Sequence, residues 1–285
     1  MKSLIVNADD FALTSGVNRA VIEGHARGII TSTTIMANMA AFDEAVRLAK
    51  DYPSLGVGLH FNITQGMPVA GASKVRGLTD RRGEFTGSSA FVQRILIGQL
   101  RVEEIEIELR AQIEKVFDAG LHLTHIDSHK HSHALPQVCH AIIKTIGDYG
   151  IFAIRLPREK WSFNGGNRSI KNITQSIGAL VLAQLCRASV GRMRKAKIRT
   201  TDAIFGISQS GFWTKQLILK MFEQLPEGVS ELMCHPGYDD EELRTVKTRL
   251  RGSRMTELKL LTDPEIIDKV REFQVRLTTW KDISG

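Results

Sequence analysis

One pattern constrains this chain more than any other: a short apolar run, then a stretch with apolar residues at helical spacing, repeated along all 285 residues. Apolar runs fall at 4–6, 33–36, 57–61, 123–127, 152–155, 203–205, 231–235 and 276–279. Between them, 17–26, 42–50, 102–119, 138–149, 170–186, 215–225 and 264–273 read as amphipathic helices. In 102–119, Ile105, Leu109, Ile113, Val116 and Phe117 recur at three- and four-residue steps. Strands that alternate with helices predict an α/β fold with a parallel sheet, and eight such units is the number of a closed (β/α) barrel. The expectation is a (β/α) barrel-like α/β fold, a single domain over residues 1–285. No G-x-G-x-x-G follows the first run, so no dinucleotide site is indicated. The Gly-rich, polar stretch 62–89 is expected as a long loop with a small hairpin, and loops of that length are usually functional.

Charge narrows the function classes. The formal net charge is +7, which invites a nucleic-acid reading. Yet eleven Lys and Arg residues lie between Arg155 and Arg199, against the single acid Glu159, so the rest of the chain is mildly acidic. This marks a basic insertion-like segment at about 157–213 on an otherwise ordinary body, and no nucleic-acid partner is expected. Within it, the apolar stretch 177–186 is too short to span a bilayer and is followed by Arg187, Arg192, Arg194, Lys195, Lys197 and Arg199. That combination reads as a barrel helix with a solvated basic end or as a surface for peripheral contact with an anionic membrane. The first ten residues carry too short an apolar run for a signal peptide. Cys139, Cys186 and Cys234 form no C-x-x-C, which indicates neither a disulfide framework nor a thiolate zinc site. A cytoplasmic location is expected.

In parallel α/β folds the chemistry sits at the carboxyl ends of strands. There the chain places Asn7-Ala8-Asp9-Asp10, Gly58-Leu59-His60, the run from Thr124 to His133, and Met233-Cys234-His235-Pro236-Gly237, which together hold most of its nine histidines. Asp9 or Asp10 could simply cap the next helix. Two adjacent carboxylates repel, however, and a metal commonly tames one while the other stays basic. His125, Asp127, His129, His131 and His133 occupy every second position, so an extended chain would put them on one face. A barrel strand is too short for all five, and the later ones must leave on a loop. A mixed His/Asp set suits a borderline divalent ion. Lys130 falls on the opposite face and is expected in solvent. Cys234 should face away from His235 and pack as a small apolar residue, not act as a nucleophile. No G-x-S-x-G is present.

Val6-Asn7-Ala8-Asp9-Asp10-Phe11, Gly58-Leu59-His60-Phe61-Asn62, the 124–133 run and Met233-Cys234-His235-Pro236-Gly237-Tyr238 resemble, in order, the four motifs of the YdjC-like carbohydrate deacetylases. That family includes chito-oligosaccharide deacetylase and a branch linked to hopanoid biosynthesis. The resemblance implies a barrel-like fold of the glycoside hydrolase/deacetylase type and removal of an N-acetyl group from an N-acetylglucosamine-type sugar, either an oligosaccharide or a glycolipid. It implies one divalent metal, with magnesium or zinc foremost and cobalt or manganese as alternatives. Carried over residue by residue, it makes Asp10, His60 and His129 the ligands, Asp9 the base and His235 the acid. His131, His133 and Asn62 become candidates for holding substrate, Asp127 for orienting a ligand histidine, and His125 is left without a role. A homodimer and a peripheral membrane contact stay open as partners. One departure is Ala12, where many members have Gly. Two other readings compete: a different metal-dependent barrel hydrolase, and a non-catalytic sugar- or lipid-binding protein. The first usually has a His-x-His pair where this chain has Asp9-Asp10; the second has no use for an intact base beside a metal site.

Overall fold

Sequence alternation translates into a curled parallel sheet wrapped by helices. The computed structural model describes residues 1–159 and 170–284. The strands are β1 (Lys2–Phe11), β2 (Ser32–Ile35), β3 (Gly56–Phe61), β4 (Ile126–Ser128), β5 (Ala203–Phe205), β6 (Gly228–Cys234) and β7 (Arg276–Leu277). The helices are α1 (Ser15–Arg27), α2 (Phe42–Asp51), α3 (Ser88–Leu96), α4 (Val102–Asp118), α5 (Pro136–Thr145), α6 (Ile170–Lys195), α7 (Lys215–Gln224), α8 (Glu241–Thr245), α9 (Gly252–Leu261), α10 (Pro264–Glu272) and α11 (Trp280–Ser284). The sheet order is β4-β3-β2-β1-β6-β5, every pair is parallel, and β7 pairs with β1 at Ser3 and Leu4.

The count differs from the expected eight strands. Residues 152–155 contribute only isolated parallel bridges, Ile126 to Ile154 and Ala153 to Arg199. They extend the curl past β4 without becoming a strand. The expected strand at 276–279 shrinks to the two residues of β7. The helix expected over 170–186 runs on to Lys195, and Lys160 and Arg168 of the basic segment lie outside the described residues.

Local chemistry explains the element boundaries. Thr14 caps α1, its Oγ1 accepting from the Val17 N–H at 3.2 Å. Neither Asp9 nor Asp10 is therefore spent as the cap of that helix. Thr214, Asp240 and Asp263 cap α7, α8 and α10 in the same way. In α4, Ile105, Leu109, Ile113 and Val116 are buried as the periodicity requires, while Phe117 is only partly covered. One apolar cluster runs from β1, β2 and β3 through α1, α2, α4 and α5. The 62–89 loop carries the small hairpin as a single antiparallel bridge between Thr79 and Phe85.

Candidate metal and catalytic site

β1 is regular up to Ala8. Its register against β2 then shifts between Ala8 and Phe11, and Asp10 adopts φ 69°. This bulge brings two consecutive carboxylates to one side, which a regular strand cannot do. Asp9 and Asp10 are each 2% exposed and both line a cavity of about 1240 Å³ at the carboxyl ends of the strands. His60 from the end of β3, His129 and His131 from beyond β4, and His235 from beyond β6 line the same cavity.

The ligand atoms of Asp10, His60 and His129 lie within 4.8 Å of one another. His60 Nε2 is 3.4 Å and His129 Nδ1 3.1 Å from Asp10 Oδ1. The far nitrogen of each ring is already engaged. His60 Nδ1 donates to Asp127 Oδ1 at 2.7 Å, and His129 Nε2 lies 3.3 Å from Gln65 Oε1. Those contacts orient the rings so that one nitrogen of each faces Asp10. Arg254 Nη2 holds the other Asp10 oxygen at 2.5 Å. Burial pushes the His60 imidazole down, but Asp127 and Asp10 beside it outweigh burial and push it up to about 10. Burial keeps His129 below its ordinary value against the pull of Asp10. One carboxylate and two oriented imidazoles, in a corner that favours positive charge, fit a divalent cation.

A second acidic group, Asp9 with His60 and Asp127, is equally tight, but it already contains a cation. Arg155 is fully buried. It donates from Nη1 to Asp9 Oδ2 and from Nη2 to Asp9 Oδ1, both at 2.7 Å, and its Nε donates to Glu231 Oε1 at 2.9 Å. Arg155 Nη1 also lies 2.5 Å from Asp127 Oδ2. Burial alone would raise the Asp9 carboxyl, yet Arg155 holds it well below the usual carboxylate range. His235 Nε2 is 3.9 Å from Asp9 Oδ2. Burial outweighs the two aspartates there and pushes the His235 imidazole down to about 4. Its backbone N–H donates to Glu257 Oε2 at 2.6 Å, which fixes where the ring starts.

The remaining expected residues divide. His131 lines the cavity, and burial pushes it down to about 3. His133 is 2% exposed and lies outside the cavity lining; its N–H donates to Ser128 Oγ at 2.9 Å, and Ser128 Oγ sits 2.5 Å from its Nδ1. Asn62 is fully buried beneath the 62–89 loop. Its Nδ2 donates to Asn38 Oδ1 and Gln65 O, and its Oδ1 accepts from the Thr64 N–H. It sets the loop that delivers Gln65 to His129 and does not line the cavity. His125 stacks on Trp280, centroids 4.5 Å apart and planes 9° apart, and is a core residue. A Cβ on Gly58 would come within 2.3 Å of that ring, so glycine is required where β3 passes it. Lys130 is exposed as expected, yet it lines the cavity edge. Cys234 is buried with its Sγ 3.3 Å from Asn7 O.

Arg155, Glu231, Arg254, Glu257 and Gln65 were not singled out from sequence. Arg155 and Glu231 had a signal: one ends an apolar run, and the other shares a strand face with Met233 and His235. Arg254 and Gln65 had none.

The sequence profile of the YdjC-like protein family matches residues 3–272. The chain belongs to the YdjC-like family. A carbohydrate deacetylase of Brevibacillus brevis is 35% identical over 282 residues, covering 98% of this chain and 99% of that protein. A chitooligosaccharide deacetylase of Yersinia enterocolitica is 32% identical over 289 residues, covering 99% of each. The crystal structure of a protein of Enterococcus faecalis V583, named for cellobiose-phosphate cleavage, superposes with a TM-score of 0.77 at 27% identity, covering 100% of this chain and 99% of that one. The barrel-like architecture is thus that of the YdjC-like family. Among the described residues, no helix is long and apolar enough to cross a membrane.

Proposed function

We propose that this chain hydrolyses the N-acetyl group of an N-acetylated amino sugar to acetate and a free amine, using one divalent cation. The carrying observation is convergence: Asp10, His60 and His129 form one ligand set, and Asp9 and His235 stand at the wall of the same cavity. A deacetylase function is also what its family relatives bear in their names.

Asp10 Oδ1, His60 Nε2 and His129 Nδ1 would hold the cation. Bound there, it would polarise the acetyl carbonyl and lower the pKa of a water from ~15.7 toward ~7. Asp9 takes the water's proton on Oδ2, in a position fixed by the two-point grip of Arg155. A carboxylate so strongly stabilised holds a proton weakly and passes it on readily. His235 Nε2, 3.9 Å away, carries it to the departing amine. His235 is otherwise neutral, which suits a relay better than a standing acid. Asp127 keeps the His60 ring turned toward Asp10. His131 is the one of the three substrate-binding candidates that reaches the cavity.

On partners, α6 supports a peripheral contact with an anionic bilayer. One face of it exposes Ile177, Leu180 and Val181 and, further along, Arg187, Arg192 and Lys195. Flotation with anionic vesicles at physiological salt tests this, and retention in the soluble fraction removes it.

Acetate release from N-acetylglucosamine and its oligomers, measured with magnesium, zinc, cobalt and manganese in turn, tests the reaction. Stoichiometric metal with no acetate released from any N-acetylated sugar would overturn it.

A further inference from the structure

Of the three cation ligands, His129 is the one the sheet does not hold. His60 lies within β3, paired with Asp127 of β4, and its far nitrogen meets the Asp127 carboxylate. Asp10 is gripped by Arg254. His129 follows the last residue of β4, and Lys130 and His131 after it turn left-handed. Among the described residues its ring has one hydrogen-bonding contact besides Asp10: Gln65 Oε1, 3.3 Å from Nε2. With a cation on Nδ1, the proton of the neutral ring sits on Nε2, and Gln65 is the acceptor that meets it.

Gln65 itself stands on the 62–89 loop, outside every strand and helix. A polar stripe on α4 holds that loop. Glu104, Glu108 and Gln112 follow one another at four-residue steps and so share a face of the helix. Glu104 Oε2 accepts from the Gly77 N–H at 2.7 Å. Glu108 accepts from the Val69 N–H at 2.9 Å and the Ala70 N–H at 3.0 Å. Gln112 Oε1 accepts from the Asn62 N–H at 3.1 Å, and its Nε2 donates to Asn62 O and to Glu108 Oε1, each at 2.7 Å. Gln112 thus pairs both backbone groups of Asn62, as a neighbouring strand would, one residue past the end of β3. The Glu108 carboxylate fixes which way round its amide sits. Asn62 passes the constraint on, its Nδ2 donating to Gln65 O at 2.8 Å. Glu108, Gln112 and Asn62 are fully buried. Such side chains are rarely buried unless paired, and the pairing of Glu108 and Gln112 goes to each other and to the loop that carries Gln65.

We propose that Gln112, held by Glu108, is a positioning residue for the cation site: it acts on His129 through Asn62 and Gln65, and so sets how tightly the cation is held although neither α4 side chain lines the cavity. The inference rests on the cation site proposed above and not on the reaction carried out there. A loop anchored for folding alone would need the same bonds to α4, but it would not need the path to end on the far nitrogen of a ligand histidine. His129 depends on that path more than His60 or Asp10 depends on any loop, because a neutral amide, and no charged group, is what meets its Nε2.

The test is a double-mutant cycle read on cobalt(II) affinity, measured on the whole chain by competition with a chelator and with no sugar present. The visible absorption of bound cobalt reports its ligands independently, and denaturant unfolding of chelator-treated protein reports stability. Gln65→Ala removes the partner of His129 and leaves the loop backbone its hydrogen bonds. Cobalt should then bind about tenfold or more weakly, the usual weight of a group that orients a ligand histidine. Gln65→Glu, which keeps an acceptor at Nε2 and adds charge, should hold cobalt at least as tightly as the unaltered protein and shift its visible band. Gln112→Leu should weaken cobalt in the same direction as Gln65→Ala; Glu108→Gln, a milder change on the same path, serves if that variant does not fold. In the Gln65→Ala background either α4 change should add almost nothing, because its route to the cation is already cut. An α4 variant that leaves cobalt affinity unchanged, or weakens it by the same factor with and without Gln65, overturns the proposal and leaves α4 an anchor for the loop alone. So does a Gln65→Glu protein that binds no better than Gln65→Ala. If the unaltered protein binds no cobalt, the cation site and this inference fall together. If cobalt binds and the cycle behaves as expected but no acetate is released from any N-acetylated sugar, the deacetylase reading fails and the positioning role stands.

Discussion

Asp9 is positioned before any substrate arrives, because Arg155 grips both its oxygens and Asn7 Nδ2 adds a third contact at 3.0 Å. Asp9→Asn keeps the shape and removes the proton acceptor. We expect metal content to be retained and acetate release to fall by about 100-fold or more, the usual weight of a positioned base. Turnover near that of the unaltered protein would take Asp9 out of the mechanism. Three residues on, Ala12 makes a separate point. It sits at φ 79°, with its N–H donating to Asn18 Oδ1 at 2.7 Å, in a left-handed conformation that favours glycine. The departure noted in the sequence thus falls where a methyl group costs most. Ala12→Gly should raise the unfolding free energy by about 1 kcal/mol in denaturant titration; a lower midpoint would show that the methyl's contacts outweigh the strain.

At the scale of elements, the strand ends were legible because four of them end in polar, ligand-type residues that an apolar run does not otherwise acquire. The alternation from His125 to His133 was legible only to Ser128. Lys130 and His131 then turn left-handed, at φ 55° and 54°, and no glycine marks that turn in the sequence. This is why His129 and His131 reach the cavity while His133 folds back to Ser128. Arg254 was hidden for another reason: it comes from a helix, α9, and no spacing in the chain links it to Asp10, 244 residues away. The short terminal helix α11 was also not foreseen. Its Trp280 is fully buried, stacks on His125 and lies with Nε1 3.4 Å from Glu231 Oε1, beneath the Arg155 cluster. Trp280→Ala should cost ~3–5 kcal/mol of stability, as large aromatic truncations do. Trp280→Phe, which keeps a ring against His125, should recover most of it. A Trp280→Ala loss under about 1 kcal/mol, read by denaturant unfolding, would mean that α11 does not close this end of the fold.

Across the whole molecule, the carboxyl groups inside the curled sheet are of two kinds, and they make stability depend on pH in opposite directions. Asp9 and Asp10 are held low: burial opposes them, but Arg155 and Arg254 win, so their contribution is present above about pH 4 and is lost on acidification. Glu231 and Glu257 are the reverse. Burial pushes each up to about 7, against the pull of Arg155 on Glu231 and of the His235 and Gly211 N–H groups on Glu257. In the unfolded chain both titrate near 4.5. Between those values these two groups hold protons in the fold that the unfolded chain has released, so their own contribution falls as pH rises from about 4.5 to about 7, against His131 and His235, which burial pushes down to about 3 and about 4 and whose contribution rises up to about pH 6.5. Each glutamate can account for at most ~3.4 kcal/mol, at ~1.36 kcal/mol for each pH unit between about 4.5 and about 7. Glu257→Gln, which cannot titrate, should therefore make the thermal midpoint of chelator-treated protein rise more, or fall less, from pH 5 to pH 7 than that of the unaltered protein. A pH slope of the midpoint left unchanged by Glu257→Gln would mean that Glu257 is ionised in the fold and that the N–H groups of His235 and Gly211 offset its burial.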